Sequence, residues 1–135
     1  TMVRVTNLEE SLDFYCNVLG LEETRRKDYP QWECTLVYLA APGQPEVEVE
    51  LTYNWDSDEE YGIGRAFGHL AFEVDDIYEV CQRAMDAGIE INVPPRDGWM
   101  AFFKSPDNIS IELLQKGEPK EPQSPWTEME NKGWW

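Results

Sequence analysis

The sequence predicts an α+β fold of two pseudo-symmetric βαβββ modules, on three observations. Residues 7–22 and 75–90 read as two amphipathic helices with matching start and stop signals. Strand-like segments flank each helix in the same order. The last strand of each module carries a glutamate at the matching place: Glu48-Val-Glu-Leu51 lies on Ser110-Ile-Glu-Leu113, so Glu50 aligns with Glu112.

Taken in order, Met2–Val5 is a short strand with alternating apolar residues. The first helix opens at Asn7, whose side chain suits an N-cap, and places Leu8, Leu12, Phe14, Tyr15 and Leu19 at largely helical spacing. Gly20 follows as a C-cap. Leu21–Thr24, Thr35–Ala40 and Val47–Tyr53 are the remaining strands of the first module. Residues 54–68 connect it to the second, which opens with His69–Val74. The second helix opens at Asp75, expected as its N-cap, carries Ile77, Val80, Cys81, Ala84 and Ala87, and ends on Gly88. Ile89–Val93, Met100–Lys104 and Ile109–Leu114 complete the repeat. A period this long marks two halves of one domain, because solenoid units run about 20–50 residues and need several copies. The domain is therefore expected over residues 1–115, with modules at about 1–54 and 69–115, followed by a tail over 116–135. Pro119, Pro122, Pro125 and mixed charges argue against a packed element in that tail. Trp126, Trp134 and Trp135 argue that something covers it, a partner subunit being one option.

A chain of 135 residues suffices for one domain with its own core. No apolar run approaches the roughly 20 residues of a membrane span, and the first residues lack the pattern of a secretory signal. Three cysteines without a CxxC pair fit a reducing, cytoplasmic setting. The formal net charge of −16 repels phosphate backbones and anionic membranes, so neither nucleic acid nor membrane is an expected partner. An acidic small molecule would need local cations, and Arg4, Arg65 and Arg96 are the candidates.

Strand alternation turns the repeat into a site. Val47, Val49, Leu51 and Tyr53 share one face, which leaves Glu50, Thr52 and Asn54 on the other. Ile109, Ile111 and Leu113 likewise leave Ser110 and Glu112 opposite. His69, the single histidine of the chain, lies in the first strand of the second module. Alone, a strand glutamate is usually solvated and a lone histidine usually a hydrogen-bonded structural imidazole. Together, two repeat-related glutamates and a histidine converge on one axis, and carboxylate plus imidazole suit a divalent first-row metal with open positions.

Four segments carry a family resemblance: Glu50-Leu-Thr-Tyr-Asn-Trp55, Gly68-His69, Ser11-Leu-Asp-Phe-Tyr-Cys-Asn-Val-Leu-Gly-Leu21 and Ser105-Pro-Asp-Asn-Ile-Ser-Ile-Glu-Leu113. They resemble the glyoxalase I (lactoylglutathione lyase) family of the vicinal oxygen chelate superfamily, over roughly Thr1 to Leu114. The resemblance implies a cupped mixed sheet and a divalent metal held by Glu50, His69 and Glu112. A fourth ligand, histidine or glutamine, is expected just before Thr1, so metal binding by the chain from Thr1 is expected to be weakened. The implied reaction converts the methylglyoxal–glutathione hemithioacetal into S-lactoylglutathione, a detoxification, with Glu112 or Glu50 as general base according to the epimer and the metal as Lewis acid. Arg4, Asn54 and Arg65 match substrate-binding positions, and Arg96 is a weaker candidate for the glycyl carboxylate. Family members pair into homodimers whose sites are shared between subunits. Short chains resemble the nickel- or cobalt-activated branch, so Ni²⁺ is favoured over Zn²⁺. Two departures stand out: Asn108 replaces a glycine in its turn, and Ser110 stands where some members have a large aromatic. The rivals are another metal-dependent enzyme of the superfamily, an epimerase or dioxygenase, and a metal-free ligand-sequestering protein of the same fold.

Overall fold

The computed structural model of the chain describes residues 1–62 and 64–133. Trp134 and Trp135, part of the expectation for the tail, lie outside the described residues. Contacts divide the chain into two compact units, one over residues 1–62 and one comprising the rest.

In the first unit, β1 (Met2–Val5), β2 (Glu22–Tyr29), β3 (Cys34–Ala40) and β4 (Glu48–Asn54) form a sheet in the order β1-β4-β3-β2. In the second, β5 (His69–Val74), β6 (Ile91–Val93), β7 (Met100–Lys104) and β8 (Ser110–Gln115) form a sheet in the order β5-β8-β7-β6. Both are mixed sheets: first and last strands pair in parallel, the others antiparallel. The equivalence holds to the residue, since Met2 faces Glu50 and Ala71 faces Glu112. This is the α+β repeat that the sequence predicts.

The first helix is two-part. α1 (Leu8–Leu12) starts on Asn7, whose Oδ1 accepts the Glu10 N–H at 3.1 Å, and continues as a π-helical segment Asp13–Val18, with Leu19 N–H donating to the Phe14 carbonyl at 3.1 Å. Its buried stripe is Ser11, Phe14, Tyr15, Val18 and Leu19. The face is thus turned from the expected one: Leu8 and Leu12 are only half-buried. α2 (Ile77–Asp86) is capped by Asp76 rather than Asp75, its Oδ1 accepting from Tyr78 N–H (3.0 Å) and Glu79 N–H (3.2 Å). Ile77, Tyr78, Val80, Cys81 and Ala84 are buried, whereas Ala87 is exposed. Gly20 and Gly88 end the helices at φ +85° and +80°, a left-handed region that suits glycine. Asn108 holds φ +66° in its turn, so asparagine keeps the geometry expected of glycine.

β2 is twice the length its sequence suggests. Its residues, Glu-Glu-Thr-Arg-Arg-Lys-Asp-Tyr, show no apolar alternation because the strand is an exposed edge. Charged side chains on such an edge discourage pairing with another sheet.

The tail corrects the expectation of an unpacked terminus. Trp126 is only 2% exposed and stacks on Tyr78 (centroids 5.9 Å, planes 13° apart), so the second unit itself covers it. Tyr78 Oη donates to the Glu121 carbonyl at 2.9 Å, and Lys120 Nζ meets Asp76 Oδ2 at 2.6 Å. The backbone comes so close at Gly98 (φ +70°) that a Cβ there would collide with the Lys120 carbonyl oxygen. Among the described residues no helix is long and apolar enough to cross a membrane.

Candidate functional site

In each unit the core takes one face of the last strand and leaves the glutamate on the other. Ile111 and Leu113 are fully buried, as is Leu51 in the equivalent strand, whereas Glu112 and Glu50 are half-buried. In the second unit, parallel pairing sets Ala71 opposite Glu112 and His69 opposite Ser110. His69 therefore lies two residues along on the glutamate's face. Its Nε2 is 3.1 Å from Glu112 Oε2, with the side chains 33% and 17% exposed. On the other flank of β8, Phe102 pairs with Glu112 and sets its buried ring edge-on to the imidazole, at 5.3 Å between centroids. Phe102 thus fixes the imidazole plane and gives the pair one apolar wall.

The first unit presents a different setting. Glu50 has Met2 of β1 on one side and Tyr38 of β3 on the other. Thr52 Oγ1 donates to Glu50 Oε1 at 3.0 Å. Burial, followed by the nearby Glu50 charge, raises the Tyr38 pKa. The Arg25 guanidinium lies over the Tyr38 ring, 3.3 Å from its centroid. It is held there by two bonds to Glu48, Nε to Oε1 at 3.2 Å and Nη2 to Oε2 at 2.8 Å. Arg25, followed by Thr24, which donates to Oε1 at 2.6 Å, keeps the half-buried Glu48 carboxyl below its ordinary pKa.

The expected substrate-binding residues are distributed as follows. Arg4 is exposed on the Glu50 face, paired in register with Thr52. Asn54 closes β4, half-buried, and donates from Nδ2 to Tyr61 Oη at 3.1 Å. Arg65 and Arg96 are exposed outside the strands of the second unit. Among the described residues none of these three arginines has an ion-pair partner. Beside the glutamates the structure adds Tyr38 and Phe102 to Thr52, which the sequence already places on Glu50's face. Thr52 shares Glu50's alternation and was visible at i+2; the other two depend on cross-strand register, which no local pattern reports.

The spacing of His69 and Glu112 suits a divalent ion. Two donors about 2.1 Å from one ion and at right angles are about 3.0 Å apart, which the 3.1 Å between His69 Nε2 and Glu112 Oε2 matches. His69 and Glu112 are brought together within one unit, while Glu50 belongs to the other; no cluster of three such donors occurs among the described residues. The cysteines stand apart from this chemistry: Cys34 and Cys81 are buried, burial pushing the Cys81 thiol up to about 12.

Comparison with known proteins agrees with this geometry. Residues 1–113 match the family model of the Glyoxalase/Bleomycin resistance protein/Dioxygenase superfamily. A lactoylglutathione lyase of Neisseria meningitidis is 47% identical over 122 residues, covering 86% of this chain and 88% of that protein. Among solved structures, the trypanothione-dependent glyoxalase I of Leishmania major superposes with a TM-score of 0.79 at 36% identity, over 86% of this chain and 84% of that one. Glyoxalase I of Zea mays superposes at 0.77 and 32% identity, over 90% of this chain but 45% of the longer plant chain. The chain belongs to the glyoxalase/bleomycin resistance/dioxygenase superfamily and, within it, to the lactoylglutathione lyase (glyoxalase I) family.

Proposed function

We propose that this chain is a metal-dependent lactoylglutathione lyase that isomerises the methylglyoxal–glutathione hemithioacetal to S-lactoylglutathione. The observation that carries the reading is the His69–Glu112 pair, 3.1 Å apart on one sheet face, with Glu50 at the matching register of the other module. Glu50, His69 and Glu112 would hold the ion, which when bound supplies Lewis-acid polarisation of the substrate's oxygens. Glu112 takes the proton from the carbon that bears sulfur and returns it to the adjoining carbon; Glu50 has this task for the other epimer. Atoms balance: the carbon-bound proton moves to the neighbouring carbon and the hydroxyl proton passes to the neighbouring oxygen, so hydroxyl and carbonyl exchange places with no redox partner. Phe102 excludes water from one side of Glu112 and keeps His69 in plane. Arg4, Asn54 and Arg65 bind the carboxylates and peptide of the glutathione moiety, supplying local positive charge in a chain of net charge −16.

The finer assignments belong to the same proposal. Ni²⁺, with Co²⁺ close to it, is favoured over Zn²⁺ on the family resemblance; imidazole and carboxylate donors accept all three. A homodimer with shared sites belongs to the proposal on the strength of the family likeness. A cytoplasmic setting is supported by three free cysteines.

His69→Ala tests the reading. It should abolish detectable Ni²⁺ binding and thioester formation while leaving the circular dichroism spectrum intact. A variant that kept both metal and turnover would overturn it. Wild-type protein that binds glutathione conjugates but turns none over with any metal would favour the sequestering alternative.

A further inference from the structure

The segment that follows β4 turns back onto its end at one residue, Tyr61, which lies outside the expected site. β4 ends at Asn54, which shares the alternation of Glu50 and Thr52, two residues beyond the register partner of Arg4. The chain just past Asn54 is fixed. Trp55 N–H donates to the Glu33 carbonyl at 2.7 Å, and its indole Nε1–H donates to Thr35 Oγ1 at 2.8 Å. Thr35 Oγ1 in turn donates to Asp28 Oδ1 at 2.7 Å. Asp56 to Glu60 are then exposed, and Tyr61 returns half-buried to accept from Asn54 Nδ2 at 3.1 Å. That bond sets two directions. With Nδ2 committed to Tyr61, Asn54 presents Oδ1 on its other side as an acceptor; with Oη accepting, the Tyr61 hydroxyl keeps its hydrogen for another acceptor. Among the described residues neither group meets a second partner.

We infer that Tyr61 is a further substrate-binding residue: its hydroxyl donates to the α-carboxylate of the γ-glutamyl end of glutathione, while Asn54 Oδ1 accepts from the neighbouring α-ammonium. This rests on the reading of the chain as a glutathione-dependent lyase. A donor and an acceptor held together by one hydrogen bond match a zwitterionic amino-acid terminus, where an anion and a cation sit on one carbon. Arg4, exposed on the same face and in register with Thr52, supplies the positive charge that a neutral hydroxyl lacks. In a chain of net charge −16 a second, uncharged donor strengthens the hold on a carboxylate that the overall field repels. The pair also selects: a ligand without the carboxylate leaves a half-buried hydroxyl unanswered.

Tyr61→Phe removes the hydroxyl alone and keeps the ring. With Ni²⁺ saturating, KM for the methylglyoxal–glutathione hemithioacetal should rise about tenfold, the loss expected for a hydrogen bond to a charged group. Turnover at saturating substrate and Ni²⁺ affinity should stay at wild-type values, because the hydroxyl bonds Asn54 and not a proposed metal ligand. A non-reacting ligand locates the contact. The S-hexyl thioether of glutathione should bind Tyr61→Phe about tenfold more weakly than wild type. The same thioether with hydrogen in place of the γ-glutamyl α-carboxylate should bind both proteins equally. Unchanged KM, or equal weakening for the two thioethers, would overturn the inference. So would a fall in thermal midpoint or Ni²⁺ affinity without a rise in KM, which would leave Tyr61 a structural pin. Wild-type protein that forms no S-lactoylglutathione with any metal overturns the underlying reading, whereas wild-type turnover with KM unchanged in Tyr61→Phe overturns the role of Tyr61 alone.

Discussion

Glu112→Gln isolates the charge of the proposed base. The amide has nearly the volume of the carboxylate, so the flanking Ile111 and Leu113, both fully buried, keep their packing. The 17% exposed side chain loses its contact as an anion with His69 at 3.1 Å. The fold should tolerate this: a partly screened pair contributes little to stability, about 1 kcal/mol or less. Catalysis should not tolerate it. A positioned general base contributes roughly 10²–10⁴-fold, which corresponds to about 3–5 kcal/mol of barrier, and an amide cannot accept the proton. Thioester formation from methylglyoxal and glutathione, measured with saturating metal, should therefore fall at least about a hundredfold in kcat, while the thermal midpoint moves by only a few degrees. A residual kcat within about threefold of wild type, with metal demonstrably bound, would refute Glu112 as the base. An equal loss of fold and activity would refute the packing argument instead.

Two further predictions concern the second unit. Trp126→Ala should cost about 3–5 kcal/mol, the range for a buried large aromatic, and lower the thermal midpoint by roughly 10 °C or more; a shift under about 2 °C would show that the Tyr78 stack adds nothing. Asp76 gives the pH dependence. Burial works to raise its pKa but is outweighed by the Lys120 hydrogen bond and the Glu79 and Tyr78 backbone N–H groups, leaving it below its ordinary value of 3.8. A depressed folded-state pKa stabilises above the unfolded value and is lost as pH falls through the folded one. Denaturant unfolding should thus find Asp76→Asn weaker than wild type at pH 7, the gap closing as pH drops below about 3.8. A gap independent of pH would contradict the ionic role of Asp76.

Much of the architecture was legible because it was written twice. A shared helix signature with glycine stops, and glutamates in equivalent final strands, require only local patterns and one alignment. The burial of Leu51, Ile111 and Leu113 then followed from alternation, and with it the face taken by Glu50 and Glu112. What escaped is non-local. β2 carries charges throughout because an edge strand has no core face to advertise. The helix stripe turned toward Ser11 and Val18 because a π-helical segment changes the angular step on which a 3.6-residue count depends. Trp126 is buried by Tyr78, a residue 48 positions earlier, and composition alone had marked the tail as unpacked. Tyr38 and Phe102 reach the glutamates only through cross-strand register, so the ligand types were legible and their cross-strand neighbours were not.

Metal reconstitution tests the central claim most directly. The protein is stripped with a chelator, checked for intact secondary structure, and assayed for S-lactoylglutathione formation after addition of Ni²⁺, Co²⁺ or Zn²⁺. The account predicts no turnover in the stripped protein and recovery with metal, with Ni²⁺ or Co²⁺ exceeding Zn²⁺. Full turnover in the stripped protein, or none with any of the three ions, would contradict it.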